Sequence, residues 1–368
     1  METRKNILFI HHGKFAGGAG KSLRDLIVGF ARKDVFECHL IAPQGFLTDS
    51  LKDCCSVKAL ELVRFKKTTN PGRLIRHAMR YAVDSGRILS YCRQNDISLI
   101  YANSVHAFLY SLLATALTRA RLVLHLRDRI KSPVLAWLVR LFCRKVISVS
   151  SYIDSQIRNK LKPRQPCIVY NGIDPNQFEI QDRPCTKTIG YAGQIIPWKR
   201  IELLVQAMEY VVTNEPEAKL LIAGTDLYDD HPFYHKQLEQ MIGDMGLEKN
   251  VCFRGWRGNM NDFLSETRVL VLPSEGEPFG RILIEAMAAN VPVVGVDSGA
   301  IPEIIEHEKT GLLCESNAKS ISDAVLRLFQ DSNLRAALVR NGRTRVEQRF
   351  NITDTVESIH SIVEQVAS

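Results

Sequence analysis

Apolar residues along the chain gather into short runs that alternate with stretches of helical spacing. Strand-like runs at 6–11, 37–42, 99–101, 121–125 and 145–149 are each followed by segments in which apolar positions recur every three or four residues. The second half repeats the scheme, with runs at 188–192, 219–224, 251–255, 269–273 and 291–296. This alternation predicts parallel sheets covered by helices on both faces. At 368 residues the chain is too long for one ordinary core. Two doubly wound α/β domains are therefore expected, with a boundary at about residue 183 in the polar Gln181-Asp-Arg-Pro stretch. Ligands of such sheets bind outside the carboxyl ends of the strands.

Composition adds little to this, but charge adds a great deal. A hydrophobic fraction of 45% with 24% charged residues is that of a folded, soluble protein. Residues 1–180 hold 29 lysines and arginines against 13 aspartates and glutamates, a surplus of 16 positive charges, whereas the remainder holds 19 against 27. A basic half of this strength implies an acidic partner or an acidic surface, and each cation near an anionic leaflet contributes about 1 kcal/mol. Arg64-Phe-Lys-Lys, Arg73, Arg76 and Arg80, then Arg140 to Lys145 beside Trp137, Leu138, Leu141 and Phe142, are the expected contacts with an anionic membrane surface. A solvated basic helix face is the plainer alternative. Nucleic acid is disfavoured because the interleaved aromatic pattern of such sites is missing.

The nine cysteines are scattered, Cys54-Cys55 being the only close pair, and no C-x-x-C occurs. Neither a zinc site nor a disulfide framework is implied, and a reducing cytoplasm is the simpler home. The opening run Asn6–Ile10 is too short for a signal peptide. Longer apolar stretches are broken by Arg119 and Arg121, or by Arg140, Arg144 and Lys145, so no bilayer-spanning segment is expected.

The chemistry concentrates in Ser274-Glu-Gly-Glu-Pro-Phe-Gly-Arg-Ile-Leu-Ile-Glu-Ala-Met, where Glu277 and Glu285 flank seven residues across a strand-to-helix junction. Pro278 suits an early helical position and Gly280 allows backbone to approach a ligand. A helix start here favours a diphosphate, through unpaired N–H groups and a dipole of about half a unit charge. Glu285, about one turn inside, is placed to accept both hydroxyls of a ribose, and Glu277 to meet a sugar hydroxyl or a developing positive charge. Two solvated or helix-capping glutamates would look the same in sequence.

Gly13-Lys-Phe-Ala-Gly-Gly-Ala-Gly-Lys-Ser ends like a phosphate-binding P-loop at Gly20-Lys21-Ser22. The full motif needs glycine five positions before Gly20, where this chain has Phe15.

Taken together these segments resemble glycosyltransferase family 4, retaining enzymes of the GT-B fold marked by an E-x7-E signature. Pro292-Val-Val-Gly-Val, Gly299-Ala-Ile-Pro-Glu-Ile-Ile, Thr310-Gly-Leu-Leu, Asn171-Gly-Ile-Asp-Pro and Gly190-Tyr-Ala-Gly-Gln-Ile-Ile-Pro-Trp-Lys resemble further family segments in the right order. The resemblance implies two Rossmann-like domains facing across a cleft. An acceptor domain would span 1–183, a nucleotide-sugar domain 184–349, and the last helix, about 350–368, would pack back on the first domain. It implies an EC 2.4 hexosyltransferase that moves a hexose-type sugar from a nucleoside-diphosphate sugar to a glycan or lipid-linked glycan, in polysaccharide or lipopolysaccharide synthesis, while the basic half and the missing signal peptide favour a cytoplasmic enzyme peripheral on the inner face of the membrane.

By the same resemblance Glu277, His125 and Lys199 are catalytic. Lys199 would clamp the donor diphosphate and His125 would hydrogen-bond the donor sugar. Glu285, Phe279, Gly280, Arg281, Gln194, Gly17 and Gly18 would bind the donor, and Arg127 and Asp128 would touch the acceptor. Gly17, Gly18, Ala19, Lys21, Ser22 and Leu23 match the family's Gly-Gly-(Ala/Val)-Glu-(Arg/Lys)-(Ser/His)-Leu turn, with Gly20 where glutamate is usual. The second departure is Gln194, where the family has an arginine, with Arg281 or Arg200 as candidate replacements. No cofactor and no essential metal are expected, Asp229-Asp230 lying in a polar loop. An epimerase or hydrolase on the same scaffold, and a catalytically silent binding protein, remain alternatives.

Overall fold

The computed structural model describes residues 4–64, 70–130, 132–162, 166–178 and 186–368. It divides into two compact units, one of Met1–Gly172 with Ile352–Ser368 and one of Ile173–Asn351. The division falls inside the Asn171-Gly-Ile-Asp segment. The boundary expected at about residue 183 lies outside the described residues, as do residues 65–67 of the expected basic contact.

Among the described residues the N-terminal unit is built on seven strands: β1 (Lys5–Ile10), β2 (Phe36–Ala42), β3 (Ser56–Ala59), β4 (Ile97–Ala102), β5 (Arg121–Leu126), β6 (Cys143–Ser148) and β7 (Cys167–Ile168). Their order is β3-β2-β1-β4-β5-β6-β7, every pairing parallel. Six form the sheet of the C-terminal unit: β8 (Thr188–Ala192), β9 (Lys219–Ala223), β10 (Val251–Gly255), β11 (Val269–Leu272), β12 (Val293–Val296) and β13 (Leu312–Cys314). These run β10-β9-β8-β11-β12-β13, again all parallel. The central strands are apolar throughout because helices cover both faces, so alternation would leave polar groups in the core. The edge strands β3 and β7 escape the sequence reading because they are short and only partly buried.

The C-terminal helix Ile352–Ala367 belongs to the first unit. It buries Val356, Ile359, Val363 and Val366 in a core shared with Leu23, Leu26, Ile27 and Phe30 of the Gly18–Lys33 helix and with the strand residues Ile7, Phe9 and Val123. Spacings of three and four put those four residues on one helix face. Among the described residues no helix is long and apolar enough to cross a membrane.

Candidate active site

Strand order reverses between β8 and β11 in the C-terminal unit, and the loops after these strands meet at the point where open α/β sheets form ligand crevices. The Glu275 N–H donates to the Trp198 carbonyl at 3.2 Å, joining the two loops. Between them Lys199 Nζ meets Glu277 Oε2 at 2.7 Å, with side chains only 13% and 8% exposed. The ammonium also lies 4.2 Å from the Trp198 ring centroid, a cation–π contact. Tyr191, fully buried under this pair, donates its hydroxyl hydrogen to the Gln194 carbonyl at 2.8 Å. Burial, reinforced by the nearby Glu277 carboxylate, pushes its phenol well above its ordinary range, so it stays protonated. Gln194 is thus held by its backbone, with its half-buried amide side chain standing where the family has an arginine.

The Arg281–Ala288 helix starts at Gly280, which sits at φ 97° and offers no side-chain cap. Pro278 therefore lies in the loop and not in the first turn, because the left-handed Gly280 is what turns the chain into the helix. Arg281 occupies the first helical position and its Nε donates to Glu285 Oε1 at 2.7 Å, one turn on. Neither glutamate is solvated: Glu277 is 6% and Glu285 5% exposed, and each is matched to one cation. Arg200, in left-handed conformation at φ 55°, is instead paired with Glu202 and Glu275. Phe279 turns inward against Phe350, ring centroids 5.9 Å apart, and anchors the loop. The Asp229-Asp230 loop folds around Asp226, which accepts from the Tyr228 and His231 amides. Among the described residues no group of three or more His, Cys, Asp or Glu side chains is arranged to hold a metal ion.

In the N-terminal unit the reversal lies between β1 and β4, and polar side chains following β1, β4 and β5 converge there. Arg127 is the hub. Its Nε donates to Asn103 Oδ1 at 2.9 Å, Nη1 to Asn171 Oδ1 at 2.7 Å, and Nη2 approaches His125 Nδ1 at 3.5 Å. Asn103 Nδ2 in turn contacts His11 Nδ1 at 3.1 Å and donates to the Ala19 carbonyl at 3.2 Å, which ties the glycine turn to the hub. Gly17 is the N-cap of the Gly18–Lys33 helix, and Gly20 is buried beneath it, close to the Phe15 carbonyl. His12 contacts Ser104 and stacks on His106.

His125 sits at the end of β5, 1% exposed. The Tyr101 hydroxyl lies 2.6 Å from its Nδ1. With a phenol and a guanidinium both aimed at Nδ1, that nitrogen is the acceptor and Nε2 carries the hydrogen. Burial, and secondly Arg127, hold the ring well below its ordinary pKa, so it is neutral. Its Nε2 is buried without a partner, a costly state for a donor unless a ligand supplies the acceptor.

His11 behaves alike: burial and then Arg127 lower it from 6.5 to about 3. Because the unfolded chain takes up a proton near pH 6.5 and the folded chain does not until about pH 3, stability is fully present above 6.5 and is lost as pH falls toward 3. Each pH unit in that window removes about 1.4 kcal/mol for this residue alone. Thermal melts between pH 7 and 4 are expected to fall in this way, and His11→Asn to flatten the profile.

Sequence reasoning missed Tyr101, His11, His12 and Asn103. The available signal was the polar pair directly after each of two strands, His11-His12 and Asn103-Ser104, but it gains meaning only once those strands are neighbours.

Comparison with known proteins accounts for both halves. A model described as Glycosyltransferase Family 4 matches residues 16–177, and one described as Glycosyl transferases group 1 matches residues 173–345. The chain is 30% identical over 229 residues to N-acetyl-alpha-D-glucosaminyl L-malate synthase of Bacillus anthracis, covering 59% of this chain and 58% of that protein. It is 27% identical over 213 residues to the lipopolysaccharide core biosynthesis mannosyltransferase LpsB of Rhizobium meliloti, covering 54% and 60%. Anabaena Alr3699/HepE in complex with UDP-glucose shares the fold with a TM-score of 0.83 at 22% identity, over 98% of this chain and 99% of that one. Sucrose-phosphate synthase of Thermosynechococcus elongatus does so with a TM-score of 0.84 at 20% identity, over 99% of each. The curated relatives are matched over only about 58–60% of their length, whereas the two family models between them span nearly the whole sequence. On these grounds the chain belongs to glycosyltransferase family 4 and has the GT-B fold, two units each built on a parallel α/β sheet.

Proposed function

We propose that this protein is a retaining glycosyltransferase that moves a hexose-type sugar from a nucleoside-diphosphate sugar to a glycan or lipid-linked glycan. The observation that carries the reading is the pair of nearly buried ion pairs on one loop and helix, Lys199–Glu277 and Arg281–Glu285. Buried charge is expensive, and such pairs add little to stability by themselves. Here each pair offers one cation for the donor diphosphate and one carboxylate for its hydroxyls. Arg281 supplies the charge that Gln194 lacks.

In this mechanism Lys199 and the start of the Arg281–Ala288 helix stabilise the leaving diphosphate as negative charge builds, and Glu277 faces the positive charge developing on the sugar. His125 offers its Nε2–H to a sugar hydroxyl. The departing phosphate oxygen takes the acceptor proton, so attack comes from the face the diphosphate leaves and configuration is retained. No carboxylate acts as a covalent nucleophile and no metal is required in this scheme. A lipid-linked acceptor, as in lipopolysaccharide or capsule precursors, would have the enzyme working on the cytoplasmic face of a membrane. Support for the donor class comes from HepE, which carries UDP-glucose on the same fold.

The test is a thermal-shift and calorimetric screen of UDP, GDP, ADP and their sugar conjugates. One nucleotide series is expected to raise the melting temperature, since ligand at a hundred times its Kd adds about 2.7 kcal/mol. Glu285→Ala should abolish the shift and Arg281→Ala should weaken it. Absence of binding by the folded protein would withdraw the transferase reading, and donor turnover without any acceptor would favour a hydrolase.

A further inference from the structure

We infer that three helices on one face of the N-terminal sheet form a docking surface for an anionic lipid membrane. They are Pro71–Gln94, Val105–Leu117 and Pro133–Phe142. These helices make the β3-to-β4, β4-to-β5 and β5-to-β6 crossovers, all in one direction along the sheet. Right-handed connections put them on the same side, and the middle helix touches both of its neighbours.

The outer helices each expose an apolar stripe. On the first, Ile75, Met79 and Val83 follow at intervals of four and are 62%, 65% and 51% exposed. On the third, Val134, Trp137 and Leu141 follow at intervals of three and four and are 66%, 56% and 56% exposed. Between them the middle helix exposes Leu113 and Leu117. The ordinary purpose of helical spacing is to bury such a stripe, and here the buried residues of the first helix, Asp84, Ser85, Ile88 and Cys92, lie only in its second half.

Charge selects the occupant. Within these three helices stand six arginines, at 73, 76, 80, 87, 93 and 140, and a single carboxylate, Asp84. Asp84 is fully buried and bridged by Arg80 at 2.8 Å and Arg87 at 3.1 Å, so the exposed residues of these three helices include arginines and no carboxylate. A second copy of the chain is a poor fit, because a two-fold contact would set arginines against arginines. Exposed aliphatic stripes flanked by arginine are what an interfacial helix presents to acidic headgroups and the acyl boundary beneath them. The surface is independent of the donor reading, and none of these residues belongs to either ion pair or to the His125 cluster.

Co-sedimentation of the whole protein with mixed phosphatidylglycerol–phosphatidylcholine vesicles tests the proposal, with pure phosphatidylcholine vesicles alongside. Binding to the anionic vesicles only, weakening with salt, is expected. Arg73→Glu and Arg76→Glu should weaken it roughly fivefold for each charge removed. Met79→Asp with Trp137→Asp should weaken it at least about tenfold, while the thermal unfolding transition stays cooperative and so reports a folded protein. Equal binding to neutral vesicles, anionic binding that survives all four substitutions, or a change in oligomeric state in place of vesicle binding would each overturn it.

Discussion

Glu277→Gln is expected to lower kcat by about 10²- to 10³-fold, the effect of removing one preorganised electrostatic group from a reacting centre. The substitution keeps the shape of the side chain and removes its charge. In the folded protein that charge lies 2.7 Å from Lys199 Nζ, both side chains nearly buried. In the proposed mechanism the carboxylate has two tasks: it would face positive charge on the sugar in the transition state, and before that hold the ammonium where a diphosphate would arrive. With the carboxylate gone Lys199 is freed toward the diphosphate, so donor affinity should hold or rise while turnover falls. Lys199→Met should lower both. The double variant should lose much less than the product of the single losses, since each single change also strands a buried partner. Steady-state kinetics with donor titrations separate these outcomes. A Glu277→Gln enzyme within tenfold of the parent would remove Glu277 from the chemistry.

Gly299→Ala is expected to cost about 3–4 kcal/mol of stability and to impair donor binding in whatever protein still folds. Gly299 sits at φ 64°, where a Cβ is strained before any contact is considered. A Cβ at this position would also stand 2.4 Å from the Glu277 nitrogen, 2.6 Å from its carbonyl oxygen and 2.7 Å from the Gly276 carbonyl carbon. All three are backbone atoms and none can swing aside. The neighbouring Ala300 N–H donates to the same Glu277 carbonyl at 2.8 Å, and Ser298 Oγ accepts from the Gly276 N–H at 2.9 Å. The turn after β12 thus moulds the loop that carries Glu277. Chemical denaturation gives the stability loss, and calorimetry on the folded fraction gives the binding loss. A variant with unchanged stability and affinity would show that the two loops are not coupled.

The chain's own pattern was sufficient for the central strands and for the helices that cover them, and it marked one loop as the place where candidate polar residues gather. Central strands of a two-sided sheet must be apolar along their whole length, so β1, β4, β5, β8 and β11 announce themselves, as do helices with one apolar face. The E-x7-E segment is local, and its glutamates, glycine and arginine lie within one loop and the start of the helix that follows it. What stayed hidden depends on contacts between distant residues. Lys199 and Glu277 are 78 positions apart, and His11 and Asn103 are 92 apart. Each pair meets only because the sheet grows outward from one strand and then reverses on its other side.

Burial was equally out of reach, since a glutamate reads the same in sequence whether it is solvated or nearly dry. The tautomer of His125 depends on Tyr101 from a neighbouring strand. The arginines of residues 71–94 read as a basic stretch in sequence, but whether their lone carboxylate answers them at the surface is a question of packing. Local propensity and periodicity determined which segments became strands and helices. Strand order, and the desolvation that follows from it, decided which polar residues meet and which charges are held ready.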